Sequence, residues 1–181
     1  MLWIGLAAAN EAAIVDFATG TGFVVSPEGH ILTNVHVEAR EIAWVSIGGK
    51  AHRIELIALD QDLDLALYQS RRAGEDWIAI RQEPPQRSEE VTLLGHPREA
   101  LTVTDGRIRS KPEVLGPVPI VEHDAPTWWG SSGSPLLDED GQAIGLHWAW
   151  STTRGTLLAI DLPAAARTWE PLGATQSWSA Q

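Results

Sequence analysis

The 181-residue chain contains no cysteine, which excludes a disulfide framework and a thiolate metal site alike. Its stability must therefore come from packing. Positive charge is also scarce: 13 Lys and Arg face 24 Asp and Glu, for a formal net charge of -11. Nucleic-acid backbones and anionic membrane surfaces are poor partners for such a chain, because binding to them depends on clustered Lys and Arg. No apolar run reaches the length of a membrane span. The segment Met1 to Ala9 is apolar, yet it lacks a positive n-region and is short for a signal peptide's apolar core. A first strand or packed arm competes with a signal peptide there, and the cytoplasm is the favoured compartment. With 44% hydrophobic and 20% charged residues the composition is that of a globular protein, and the length allows one domain or two small ones.

Long helical patterns are missing too. The apolar runs are short, often alternating and separated by turn residues, as in an all-β sandwich or barrel. Ser26-Pro27-Glu28-Gly29 joins strands at 22–25 and 30–33 as a hairpin, since proline presets one turn position and glycine relieves another. Further strands are expected at 42–47, 52–59, 64–69, 91–95, 101–110, 118–123, 134–138, 142–148 and 156–160. Residues 81–90 are polar with two prolines and read as a linker between halves 1–80 and 91–163. Pro163-Ala164-Ala165-Ala166 then opens a short terminal helix within 164–181, frayed from Gly173 onward. No internal repeat is visible.

The most informative segment is Gly130-Ser131-Ser132-Gly133-Ser134-Pro135, where glycines flank a serine and leave its backbone open. Upstream, Leu32-Thr33-Asn34-Val35-His36-Val37 and Asp64-Leu65-Ala66-Leu67 supply a histidine and an aspartate in the order His, Asp, Ser. A serine hydroxyl needs a base to take its proton and a third group to orient that base. The alternation Asp60, Asp62, Asp64 also invites a calcium-loop reading, which fails because the glycine after the third acidic position and the closing glutamate are absent.

With these blocks in this order, the chain resembles the chymotrypsin-like serine proteases. The likeness is greatest to the cysteine-free bacterial branch that includes the high-temperature-requirement proteases and the glutamyl endopeptidases. Gly20-Thr21-Gly22-Phe23-Val24-Val25 is similar to that family's first hairpin, and Thr102 to Ile108 to the hairpin of its second barrel. His123-Asp124-Ala125 leads into the nucleophile loop, and the match runs from about Ile14 to Asp161.

The resemblance implies an all-β fold of two six-stranded antiparallel barrels with a short C-terminal helix, a single peptidase domain over 1–181. It also implies a serine endopeptidase acting on peptide or protein through an acyl-enzyme, with neither metal nor organic cofactor. His36 would be the general base, Asp64 its orienting group, and Ser132 the nucleophile selected over Ser131 and Ser134 by the Gly-x-Ser-Gly pattern. The backbone N–H groups of Gly130 and Ser132 would form the oxyanion hole. Pro126 stands where trypsins place a carboxylate, so Lys and Arg are disfavoured before the scissile bond. Thr127 and His147 coincide with the threonine and histidine with which glutamyl endopeptidases hold a substrate carboxylate. A small apolar pocket with a structural His147 is the competing reading. His30, His52, His96 and His123 are read as surface or structural. Trp128, Trp129, Trp148 and Trp150 lie beside the pocket, mostly as packing, with one or two lining subsites.

Two rivals remain. A catalytically silent protease fold serving as a binding or scaffolding module is disfavoured by the intact His, Asp, Ser set. An α/β-hydrolase esterase fails on residue order and on the missing Gly-x-Ser-x-Gly elbow. The sequence is compatible with a stand-alone enzyme or with one domain fused to others in a longer protein.

Overall fold

In the computed structural model, residues 10–71, 76–96 and 100–176 are described. The expectations for Met1 to Ala9 and for the last five residues lie outside them. The first half forms a closed antiparallel barrel from β1 (Ile14–Asp16), β2 (Thr21–Val24), β3 (His30–Thr33), β4 (Ile42–Ile47), β5 (Lys50–Asp60) and β6 (Leu65–Ser70), in the order β1-β2-β3-β6-β5-β4. Closure leaves no unpaired strand edge. Alternation directs the side chains: Ala43, Val45 and Ile47 of β4 point inward while Ile42 and Trp44 point out. Gly29 donates back to the Ser26 carbonyl at 3.0 Å, closing the turn expected between β2 and β3.

The second half is a seven-stranded antiparallel sheet of β7 (Glu90–Gly95), β8 (Thr102–Arg107), β9 (Glu113–Leu115), β10 (Val118–His123), β11 (Pro135–Leu137), β12 (Ala143–Ser151) and β13 (Thr156–Asp161). Its order is β8-β7-β11-β12-β13-β10-β9. The sheet curls until the end of β8 meets β10. Ile108 bridges His123, the Arg109 N–H donates to the Glu122 carbonyl at 2.7 Å, and the Asp124 N–H to that of Arg107 at 3.2 Å. Six strands thus make the expected second barrel around Val91, Leu93, Ile108, Val121, Leu136 and Ile144, and β9 is a short addition to it.

Asp161 ends β13 and caps α1 (Leu162–Thr168), its carboxylate accepting from the Ala164 N–H at 3.0 Å with Pro163 in the first turn. The chain continues as α2 (Glu170–Gly173) and is held beyond Gly173, where Gln176 accepts from the Ile80 N–H at 3.3 Å. Among the described residues, no helix is long and apolar enough to cross a membrane.

Candidate active site

The two barrels meet at Thr21. Its N–H donates to the Ser132 carbonyl at 2.8 Å and its hydroxyl to the Gly130 carbonyl at 2.8 Å, so β2 of the first barrel holds the serine loop of the second. Thr33, at the end of β3, donates its hydroxyl to the Thr21 carbonyl at 2.7 Å. The fit depends on Gly133, whose φ of 83° suits glycine and whose place a side chain would contest: an added Cβ would lie 1.9 Å from the Thr21 carbonyl oxygen.

His36 sits on the turn after β3 and Asp64 immediately before β6. The adjacency of β3 and β6 in the barrel brings them together. His36 Nδ1 and Asp64 Oδ2 are 2.5 Å apart, and the His36 N–H donates to Asp64 Oδ1 at 3.0 Å. Asp64 adopts φ 56°, a left-handed backbone that aspartate tolerates better than most residues. Asn34 steadies it, donating from its side-chain amide to the Asp64 carbonyl at 3.0 Å. Asp60 and Asp62 do not line a strand face with Asp64. Asp60 ends β5 and Asp62 lies in the turn that follows, where Asp60 Oδ1 accepts from the N–H groups of Asp62 and Leu63.

Burial separates the three serines. Ser131 and Ser134 are fully buried, whereas Ser132 is partly accessible. Ser131 Oγ accepts from the Trp128 N–H at 3.0 Å, which folds the loop ahead of Ser132. The N–H groups of Gly130 and Ser132 have no partner among the described residues, as an anion-binding pair requires. No hydrogen bond joins Ser132 to His36 in this structure. Such bonds are often long without substrate and tighten in the complex.

Residues 20–146 match the family described as the Trypsin-like peptidase domain. The chain belongs to that family. Among its relatives are the Serine protease Rv3671c of Mycobacterium tuberculosis, 32% identical over 139 residues that cover 70% of this chain and 35% of that protein, and the Serine protease HTRA1 of Xenopus tropicalis, 30% identical over 81% of this chain and 34% of that one. The chain thus spans about a third of the length of the curated relatives it matches. Among solved structures, the active form of the Rv3671c protease superposes with a TM-score of 0.79 at 26% identity, covering 94% of this chain and 85% of that one. A serine endoprotease from Yersinia pestis gives 0.78 at 26%, covering 93% and 65%.

Two side chains next to the predicted residues make contacts that the sequence does not foretell. Trp148, one of the four tryptophans expected as packing or subsite lining, donates its indole N–H to Asp64 Oδ2 at 2.9 Å, so both oxygens of that carboxylate are engaged. His123, taken as surface or structural, is fully buried, and its Nε2 lies 3.1 Å from His147 Nδ1 with the two rings edge to face. Burial pushes His123 down to about 4 and His147 to about 3, the latter also through the nearby charges of His123 and His36. Both rings are neutral at pH 7. His147 is fixed at backbone level as well, its N–H donating to the Ser134 carbonyl and its carbonyl accepting from Gly133. Thr127 is partly accessible, and Pro126 is exposed, its carbonyl accepting from the Thr104 hydroxyl at 2.8 Å. Among the described residues, no cluster of three or more His, Asp or Glu side chains is placed to hold a metal ion.

Proposed function

We propose that this domain is a serine endopeptidase in which Ser132 attacks the scissile carbonyl, His36 accepts the hydroxyl proton, and Asp64 holds the imidazole. What supports the reading is the His36 Nδ1 to Asp64 Oδ2 hydrogen bond, together with the accessibility of Ser132 in a loop whose neighbouring serines are buried. With Nδ1–H engaged by Asp64, His36 Nε2 is free to act as the base. The developing oxyanion is received by the unengaged N–H groups of Gly130 and Ser132, and donors aimed at that charge are among the strongest contributions to catalysis. His36 then returns the proton to the leaving amine, and water resolves the acyl-enzyme by the same route in reverse. No cofactor enters the sequence of steps. The relatives are named serine proteases, which supports a peptide or protein substrate, and their greater length supports this domain being fused to others.

For specificity, we propose a preference for Glu or Asp before the scissile bond. Thr127 and His147 offer a hydroxyl and an imidazole N–H as donors to a carboxylate, while Pro126 has nothing to pair with a cation. Hydrolysis of an unfolded protein by the wild type and by Ser132→Ala tests the central assignment. The variant is expected to lose about 10⁴-fold or more, the scale known for subtilisin. Equal activity in the two would remove Ser132 from the mechanism.

A further inference from the structure

The His123–His147 pair bears on whether the pocket can receive a carboxylate at all, and the inference rests on the acidic-specificity reading above. A neutral imidazole carries one proton, so it donates from one nitrogen and accepts at the other. Along the 3.1 Å line between His123 Nε2 and His147 Nδ1 one ring must donate and the other accept. The two arrangements are not equivalent. In one, His147 Nδ1–H donates to His123 Nε2; His123 must then carry its proton on Nδ1, and His147 Nε2 presents a bare lone pair. In the other, His123 Nε2–H donates to His147 Nδ1, and the proton of His147 sits on Nε2.

The far side of His123 decides between them. Its Nδ1 is sealed from solvent and has no hydrogen-bond partner among the described residues. The first arrangement would bury an orphan N–H there, whereas the second leaves only an unprotonated nitrogen. Buried orphan donors are rare in folded proteins, and under-satisfied acceptors are better tolerated. The second arrangement is therefore selected. Nothing among the described residues bonds His147 Nε2, which unlike His123 Nδ1 is not sealed. Its backbone pairs with Gly133 and Ser134, the two residues that follow Ser132.

We infer that His123 is a positioning residue for substrate specificity: by donating Nε2–H to His147 Nδ1 it locks His147 in the tautomer whose Nε2–H faces the substrate. A carboxylate finds a donor there, and a bare Nε2 lone pair would repel it. Burial of both rings keeps the pair uncharged at neutral pH, so the tautomer rather than a positive charge sets the preference.

The test combines ring ¹⁵N NMR of the wild type with kcat/KM on matched peptides bearing Glu, Gln or Ala before the scissile bond. In the wild type, His147 is expected protonated on Nε2 with Nδ1 bare. His123→Phe keeps a ring of similar size and removes the donor; it is expected to lower the Glu-over-Ala ratio about tenfold, the worth of one hydrogen bond, with activity on the Ala peptide retained. His123→Gln, whose amide N–H reaches the same position, is expected to restore most of the ratio, and both variants are checked for melting temperature. A wild type indifferent to acidic residues overturns the specificity reading of Thr127 and His147 and this proposal with it. A wild type that prefers them while His147 carries its proton on Nδ1, or whose preference survives in His123→Phe, overturns this proposal alone.

Discussion

Asp64 is the most heavily engaged side chain of the site. His36 Nδ1 and the Trp148 indole meet at Oδ2, the His36 N–H meets Oδ1, and the backbone beneath is held left-handed by Asn34. Replacing it by asparagine keeps the shape but offers His36 an amide that can favour the wrong tautomer. Asp64→Asn is expected to cut kcat about 10⁴-fold at neutral pH, the magnitude known for the equivalent chymotrypsin-type substitution. Asp62→Asn, on an exposed turn position, is expected to change kcat less than about twofold. Steady-state kinetics of the two variants checks both, and a crippled Asp62→Asn beside an active Asp64→Asn would reverse the assignment. Asp64 stood out in the sequence because the block Asp64-Leu65-Ala66-Leu67 resembles that of the chymotrypsin-like proteases. Trp148 and His123 did not stand out. Their partners lie 84 and 24 residues away, and neither residue sits in a local pattern that distinguishes a donor from a core aromatic.

At the scale of elements, strands were legible where alternation and turn chemistry coincide. β4 alternates buried and exposed residues throughout, and the β2–β3 hairpin carries its proline and glycine at the turn. β1 and β9 were missed because each is three residues long, too short for a period of two to register, and Val114 and Leu115 of β9 are exposed. β5 extends beyond both expected ends, and a register shift between Leu56 and Ala58 interrupts its alternation. The docking of the serine loop on β2 is a steric matter that Gly133 permits. Gly133→Ala combines a left-handed backbone cost of roughly 1–2 kcal/mol with a clash against the Thr21 carbonyl. The melting temperature is expected to fall by about 5 °C or more, given ~2–4 °C per kcal/mol in a protein of this size, with activity lost alongside. Calorimetry checks it, and an unchanged transition would mean that the loop is not held as described.

For the whole molecule, composition had already excluded disulfides, and the fold answers with two packed barrels joined at Thr21 through its backbone N–H and its hydroxyl. The acidic balance affects how stability varies with pH, and so do the histidines. Burial lowers His30, His96, His123 and His147 below the ordinary value of 6.5, the last two to about 4 and 3. Above that value both folded and unfolded chains carry neutral rings, so these groups contribute no pH dependence. As pH falls below it, the unfolded chain takes up protons that the folded one refuses, and stability is progressively lost down to the folded values. Relief of self-repulsion in a chain of net charge -11 acts in the opposite sense. The difference between two chains isolates the histidine contribution: His123→Phe is expected to gain melting temperature relative to the wild type as pH is lowered from 7 to 5. A constant gap across that range would show that His123 is not held neutral by the fold.

Activation of Ser132 by His36 and Asp64 is the step we propose the fold provides. Covalent labelling with a fluorophosphonate probe, located by peptide mass spectrometry, asks this most directly, because the probe reacts with serines whose hydroxyl is deprotonated on attack and whose product charge is stabilised. The account predicts a single adduct on Ser132 in the wild type, labelling slowed by orders of magnitude in His36→Ala, and none on the buried Ser131 or Ser134. Failure of the wild type to react, or an adduct on Ser132 that forms equally fast in His36→Ala, would contradict it.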